Sequence, residues 1–274
     1  MLLSNTLFSC LTFFTVLLYL ASSVTIVINL LFDKQHPNLR EISLGLGGLA
    51  IIGHLFLSLH NIDASGVIAH DFFNMLSLVF FVISILYLIT AITKPIDMLA
   101  IIIFPAAAIA ILLDLGIALP SQFKASLNLS LQAHIFLSIL SYALLTLAAF
   151  QAVMLSLQEK QLHARHPSHF VNTLPPLQVM EEMLFQTLGL GVIALGLALL
   201  SGFIFLDDIF AQHLVHKTAL SILAWFVFSI LLWGRLYFGW RGQKAVKWVY
   251  GGYISLMLSY FGSKFVLQLI LNQA

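Results

Sequence analysis

Residues 71–92 read DFFNMLSLVFFVISILYLITAI, and after Asp71 the stretch passes to its end without a charge. Crossing a hydrocarbon layer roughly 30 Å thick takes about 20 residues of helix, so this run has the length of a membrane span rather than of a buried soluble helix. Its few polar residues are not scattered. Asn74, Ser77 and Ser84 continue the face begun by His70, so a polar stripe enters an otherwise apolar helix from one side.

Outward from this stretch the pattern repeats. Apolar runs between polar breaks predict helices near residues 5–31, 42–60, 71–92, 97–118, 129–157, 183–206, 218–237 and 248–271. The expected fold is all-α: a polytopic transmembrane bundle of about eight helices, forming a single integral membrane domain over residues 1–274. Composition agrees, with 61% hydrophobic and 8% charged residues, against roughly 25% charged in a soluble domain. Pro105 falls inside the fourth helix, where a missing backbone N–H and a clash with the preceding turn predict a kink. The longest connection, 158–182, holds Glu159, Lys160, His163, Arg165, His166, His169 and Pro175-Pro176, and reads as a surface loop.

Basic residues stay on the cytoplasmic side. Placing the N-terminus outside puts Lys34, Arg40, Lys94, Lys160, Arg165, Arg235, Arg241, Lys244 and Lys247 inside, and leaves Lys124, Lys217 and Lys264 outside. Both termini are then expected to face the periplasm or exterior. A net charge of +1 gives no sign of a nucleic-acid partner. The single cysteine, Cys10, excludes an internal disulfide. It ends a lipobox-like Leu7-Phe8-Ser9-Cys10, but no basic residue precedes it and the apolar run continues beyond, unlike a cleaved signal.

Ionisable side chains in hydrocarbon are costly and mark candidate sites. His54 lies about 9 Å from the outer end of the second predicted helix, and His134 about 8 Å from the same side of the fifth, at 1.5 Å per residue. Gly47, Ala50 and Ser58 share the face of His54; Ser138, Ser141 and Tyr142 continue that of His134. Two imidazoles at matched depth suit axial ligation of a haem iron. They equally suit hydrogen bonding to serines or carbonyls in helix packing, and residues alone leave both readings open. Lys217 and Lys264 sit on the outer side, placed either to snorkel to headgroups or to pair with carboxylates such as haem propionates. His163, His166 and His169 recur every third residue across Pro167 and read as a solvated loop.

Several stretches then resemble a known family. His134-Ile-Phe-Leu-Ser-Ile-Leu-Ser-Tyr142-Ala, Pro175-Pro176-Leu177, Gln186-Thr187-Leu-Gly189-Leu-Gly191, Ser201-Gly202, Ala224-Trp225 and Ser259-Tyr260-Phe261-Gly262 come in the order found in the cytochrome c assembly family of membrane haem-handling proteins, the CcsA/ResC and CcmC type. The resemblance covers roughly residues 130–265. Leu220 to Val227, Leu232-Trp233-Gly234 and Gly239-Trp240-Arg241-Gly242 are similar to its YpjD/HemX-like branch of bacterial inner membrane proteins.

The resemblance implies a haem-binding accessory membrane protein of cytochrome c assembly or membrane haem handling. No nucleophile–base pair, carboxylate dyad or phosphate-binding glycine loop appears in the sequence, so an enzyme is not expected. Haem b is the implied cofactor. His54 and His134 are the implied iron ligands, with Tyr142, His70 and Asn74 nearby and Lys217 and Lys264 toward the propionates. Partners implied are the lipid bilayer, haem and other assembly proteins. The tryptophan-rich string of the synthases, ending Trp-Asp-Pro-Lys-Glu-Thr, falls on Leu214, Val215, His216, Lys217, Thr218 and Ala219, and two further family histidines fall on Trp233 and near Leu271. A cofactor-free structural or regulatory membrane partner is therefore the alternative, and a small-solute transporter a weaker one.

Overall fold

The computed structural model describes residues 5–31, 37–60, 72–94, 96–116, 129–163, 174–205 and 212–262. Eight long helices account for nearly all of them: α1 (Asn5–Leu31), α2 (Pro37–His60), α3 (Phe72–Thr93), α4 (Ala100–Gly116), α5 (Leu129–His163), α6 (Leu177–Phe205), α7 (Gln212–Phe238) and α8 (Gln243–Met257). A short 3-10 turn, Asp97–Leu99, leads into α4, and a π-helical turn, Leu258–Gly262, extends α8. Helices α1 to α7 are each long and apolar enough to cross a membrane. Among the described residues there is no strand. An all-helical fold follows from the solvent: hydrocarbon offers no partner for a backbone N–H or C=O, and a helix satisfies both within itself.

Contacts divide the chain into two compact units, the first within Met1–Ser126 and the second within Leu127–Gln273. In the first, α1 packs along α2 and α4, and α3 packs on α4 and α2. Tyr19, Ile26, Ile83, Tyr87 and Phe104 are its largest fully buried side chains. Close approach of α1 and α2 depends on Gly53, where a Cβ would collide with the Thr15 hydroxyl. Ser22 Oγ donates to the Ser43 carbonyl across the same pair at 2.7 Å. Arg40 closes one end: its Nε lies 3.1 Å from both Asp97 carboxylate oxygens and its Nη2 donates to the Ala91 carbonyl, so one guanidinium ties α2 to the end of α3 and the start of α4.

In the second unit α5 and α6 form the most extensive pair, and α8 packs on α7 and α5. Leu145, Leu155, Leu184, Leu188 and Phe228 fill its interior. Both units turn large apolar side chains outward, among them Phe13, Leu17, Ile89, Ile92, Leu190, Ile193 and Ile204. Outward apolar side chains this large and numerous have a solvent only in lipid.

Helix ends differ from the hydropathy reading. The connection read over 158–182 is shorter, because α5 continues to His163 and α6 begins at Leu177. Glu159, Lys160 and His163 are therefore helical. Apolar character stops at the membrane interface, whereas intrahelical bonding does not, and the amide of Gln158 holds the next segment by donating to the Pro175 carbonyl at 2.8 Å. Helix α2 likewise begins at Pro37, a residue suited to a first helical turn. Pro105 lies within α4, which runs on past it to Gly116.

Candidate functional site

His54 is fully enclosed in the first unit. One turn of α2 brings it to the face of Ala50 and Leu57, which is the buried face, as the small and polar stripe implied. Its Nδ1 lies 3.2 Å from Tyr19 Oη on α1, and its Nε2 lies 3.0 Å from Ser77 Oγ on α3. The ring also meets Tyr19 and Phe81 edge-on. One imidazole thus cross-links three helices. Each hydroxyl can donate or accept, so either tautomer is satisfied. An iron ligand needs a ring nitrogen with its lone pair available. Here both nitrogens are engaged, and ligation would require one hydroxyl to give up its bond.

His134 has a different setting. It lies half-buried on α5 in the second unit, with Nδ1 3.0 Å from the Ala198 carbonyl and 2.9 Å from Ser201 Oγ, both on α6. Ser201 Oγ itself donates to the Ala198 carbonyl at 2.8 Å. A carbonyl only accepts, so Nδ1 carries the proton and Nε2 keeps its lone pair. Among the described residues Nε2 has no hydrogen-bond partner. Metal-binding histidines are commonly held in this way, by the ring N–H on a backbone carbonyl. His134 fits an iron ligand as it stands.

The remaining candidates are spread out. Asn74 is buried on α3 in the first unit, beside the face of Ser77 and Ser84. Tyr142 lies eight residues beyond His134, about 12 Å along α5. Its Oη donates to the Leu256 carbonyl at 3.0 Å and its ring meets Tyr260, so it joins α5 to α8. Lys217 is half-buried near the start of α7, and its carbonyl accepts a bond from Ser259 Oγ at 2.6 Å. His70 and Lys264 lie outside the described residues. His163 sits exposed at the end of α5 with Nδ1 on the Glu159 carbonyl, while His166 and His169 also lie outside the described residues.

Two participants escaped the sequence reading. Tyr19 carries no flag within α1, since a single tyrosine in an apolar run is ordinary. Ser201 was visible in the Ser201-Gly202 pair, but its pairing with a histidine 67 positions away was not.

Comparison with known proteins adds the following. The family described as Cytochrome C assembly protein matches residues 50–271. The chain is similar to Inner membrane protein YpjD of Escherichia coli strain K12, with 37% identity over 163 residues, 58% of this chain and 62% of that protein. It is also similar to an uncharacterized 28.8 kDa protein of Azospirillum brasilense, 34% identical over 141 residues, 51% of this chain and 52% of that one. Cytochrome c biogenesis protein CcsA of Gloeobacter violaceus is 22% identical over 93 residues, 33% of this chain and 28% of that protein. The chain thus spans less than two thirds of the length of these relatives. No solved structure matches.

Proposed function

The chain belongs to the cytochrome c assembly protein family and is a multi-pass protein of the bacterial inner membrane, and from that premise we propose that it is a haem-binding accessory protein of cytochrome c assembly or membrane haem handling. The observation that carries the proposal is the state of His134. Its Nδ1–H is fixed on the Ala198 carbonyl and Ser201, and no group among the described residues takes up its Nε2 lone pair.

Haem, when bound, would supply an iron that an imidazole nitrogen can coordinate. The rest is the work of this chain. The Ala198 carbonyl sets the tautomer of His134 and raises the basicity of Nε2, while Ser201 restricts rotation of the ring. Lys217, half-buried in the same unit, is the proposed partner for a propionate carboxylate. Haem b is the form proposed. No residue is assigned a catalytic role.

Leu214, Val215, His216, Thr218 and Ala219 stand where the synthases carry their tryptophan-rich string. That departure supports an accessory rather than a haem-presenting role. The test is the absorption spectrum of the detergent-purified protein, before and after haem is added. A Soret band that His134→Ala removes is expected; no band in the wild type, or one unaffected by His134→Ala, sinks the proposal.

A second reading, a cofactor-free structural or regulatory membrane partner, draws support from His54. Its bonds to Tyr19 and Ser77 occupy both ring nitrogens, as helix packing alone would require. On that reading a protein with both His54→Gln and His134→Gln keeps its function in the cell.

A further inference from the structure

The turn between α7 and α8 is built with more care than a connection of four residues needs. Gly239 and Gly242 both take positive φ, 63° and 58°, a region where a Cβ is disfavoured. The Gly242 N–H donates to Glu181 Oε1 at 2.7 Å, and Glu181 is buried. Arg235 approaches the same carboxylate at 3.8 Å while its guanidinium covers the Phe185 ring. Gln243 Nε2 donates to Glu159 Oε2 at 3.0 Å. The two nearby carboxylates thus point at the inner side of the turn.

What the turn presents outward is a platform. The Trp240 indole lies directly on α7 at Gly234, in the space a Cβ would take, and its ring is 5.4 Å from that of Trp248. Lys244 Nζ sits 3.8 Å over the Trp240 ring, so the ammonium is positioned and still exposed. Lys247 is exposed three residues after Lys244 on the same face of α8, and Arg241 is exposed in the turn that leads into the helix.

No acidic residue occurs from Gly239 to Gly262. Further along the same face the exposed residues are Gly251, Ile254 and Leu258, with open space beside Gly251. Exposed Trp233, Tyr237 and Phe238 end the adjacent α7. A stripe that is cationic at its end, aromatic beside it and apolar beyond has the polarity of an amphiphile lying along it.

We propose that this face of α8 is a binding site for an anionic phospholipid of the bilayer, its phosphate held by Arg241, Lys244 and Lys247 and an acyl chain lying over Gly251, Ile254 and Leu258. Charge complementarity favours the lipid, because three cations without an acidic partner among the described residues face the layer where anionic headgroups lie. The site is independent of haem.

Native mass spectrometry of the purified full-length protein, titrated in neutral detergent with phosphatidylglycerol or phosphatidylcholine, tests it. Wild type is expected to retain phosphatidylglycerol in preference to phosphatidylcholine. Lys244→Gln with Lys247→Gln is expected to weaken that retention about thirtyfold, and Lys→Arg at both positions to preserve it. Removing equal charge elsewhere, by Lys94→Gln with Lys160→Gln, should leave it unchanged, with folding of each variant checked by thermal unfolding in phosphatidylcholine. Equal loss in both double variants, or no preference in wild type, overturns the proposal. So does displacement of the lipid by inorganic phosphate or by an acidic peptide, which would assign the cations to a different ligand.

Discussion

His54 and His134 show how one residue type within two apolar helices can be prepared for different work. Among the described residues His134 has one nitrogen committed and one without a partner, whereas both nitrogens of His54 are engaged. Replacing His54 by Ala strands the Ser77 hydroxyl in a buried site and leaves the Tyr19 hydroxyl with Ser84 alone, at a cost of about 1 to 3 kcal/mol. His54→Gln, with an amide donor and acceptor, should recover part of that loss. Thermal unfolding in detergent checks both, and an Ala variant as stable as wild type would refute the cross-link. The sequence showed that both histidines lie at membrane depth on polar faces. It could not show which hydrogen bonds they make, because the partners are 35, 23 and 67 positions away.

At the scale of elements, small residues set how near the helices come. Gly234 is the clearest case, since Trp240 occupies the space its side chain would need. Gly234→Ala must displace the indole and should destabilise the protein by about 1 to 3 kcal/mol, with a shift in tryptophan emission as the ring moves. Gly251→Ala meets nothing within 4 Å and should change stability by no more than about 0.5 kcal/mol. Equal effects of the two substitutions would mean that the contact at Gly234 is not close. Hydropathy found the helices but not their ends: α5 and α6 run through polar residues into the interface, where backbone bonding continues after the apolar pattern stops.

For the whole molecule, the distribution of basic residues leads us to propose both termini on the periplasmic side. Alkaline phosphatase fused to the C-terminus should then be active, and fused after His163 it should be inactive; the reverse pattern would invert the topology. The sequence by itself determined the solvent, the helical class, the approximate spans and the family resemblance, because each is carried by local composition or by short ordered motifs. Only the tertiary structure decided that α1 to α4 and α5 to α8 gather into compact units of their own, that among the described residues both ring nitrogens of His54 have partners while only Nδ1 of His134 has, and that Glu181 and Glu159 secure the turn before α8. Hydrophobicity acts without direction, so a linear pattern suffices to read it. Hydrogen bonds need a partner at about 3 Å with the right geometry, and that partner is supplied by whichever helix folding brings alongside.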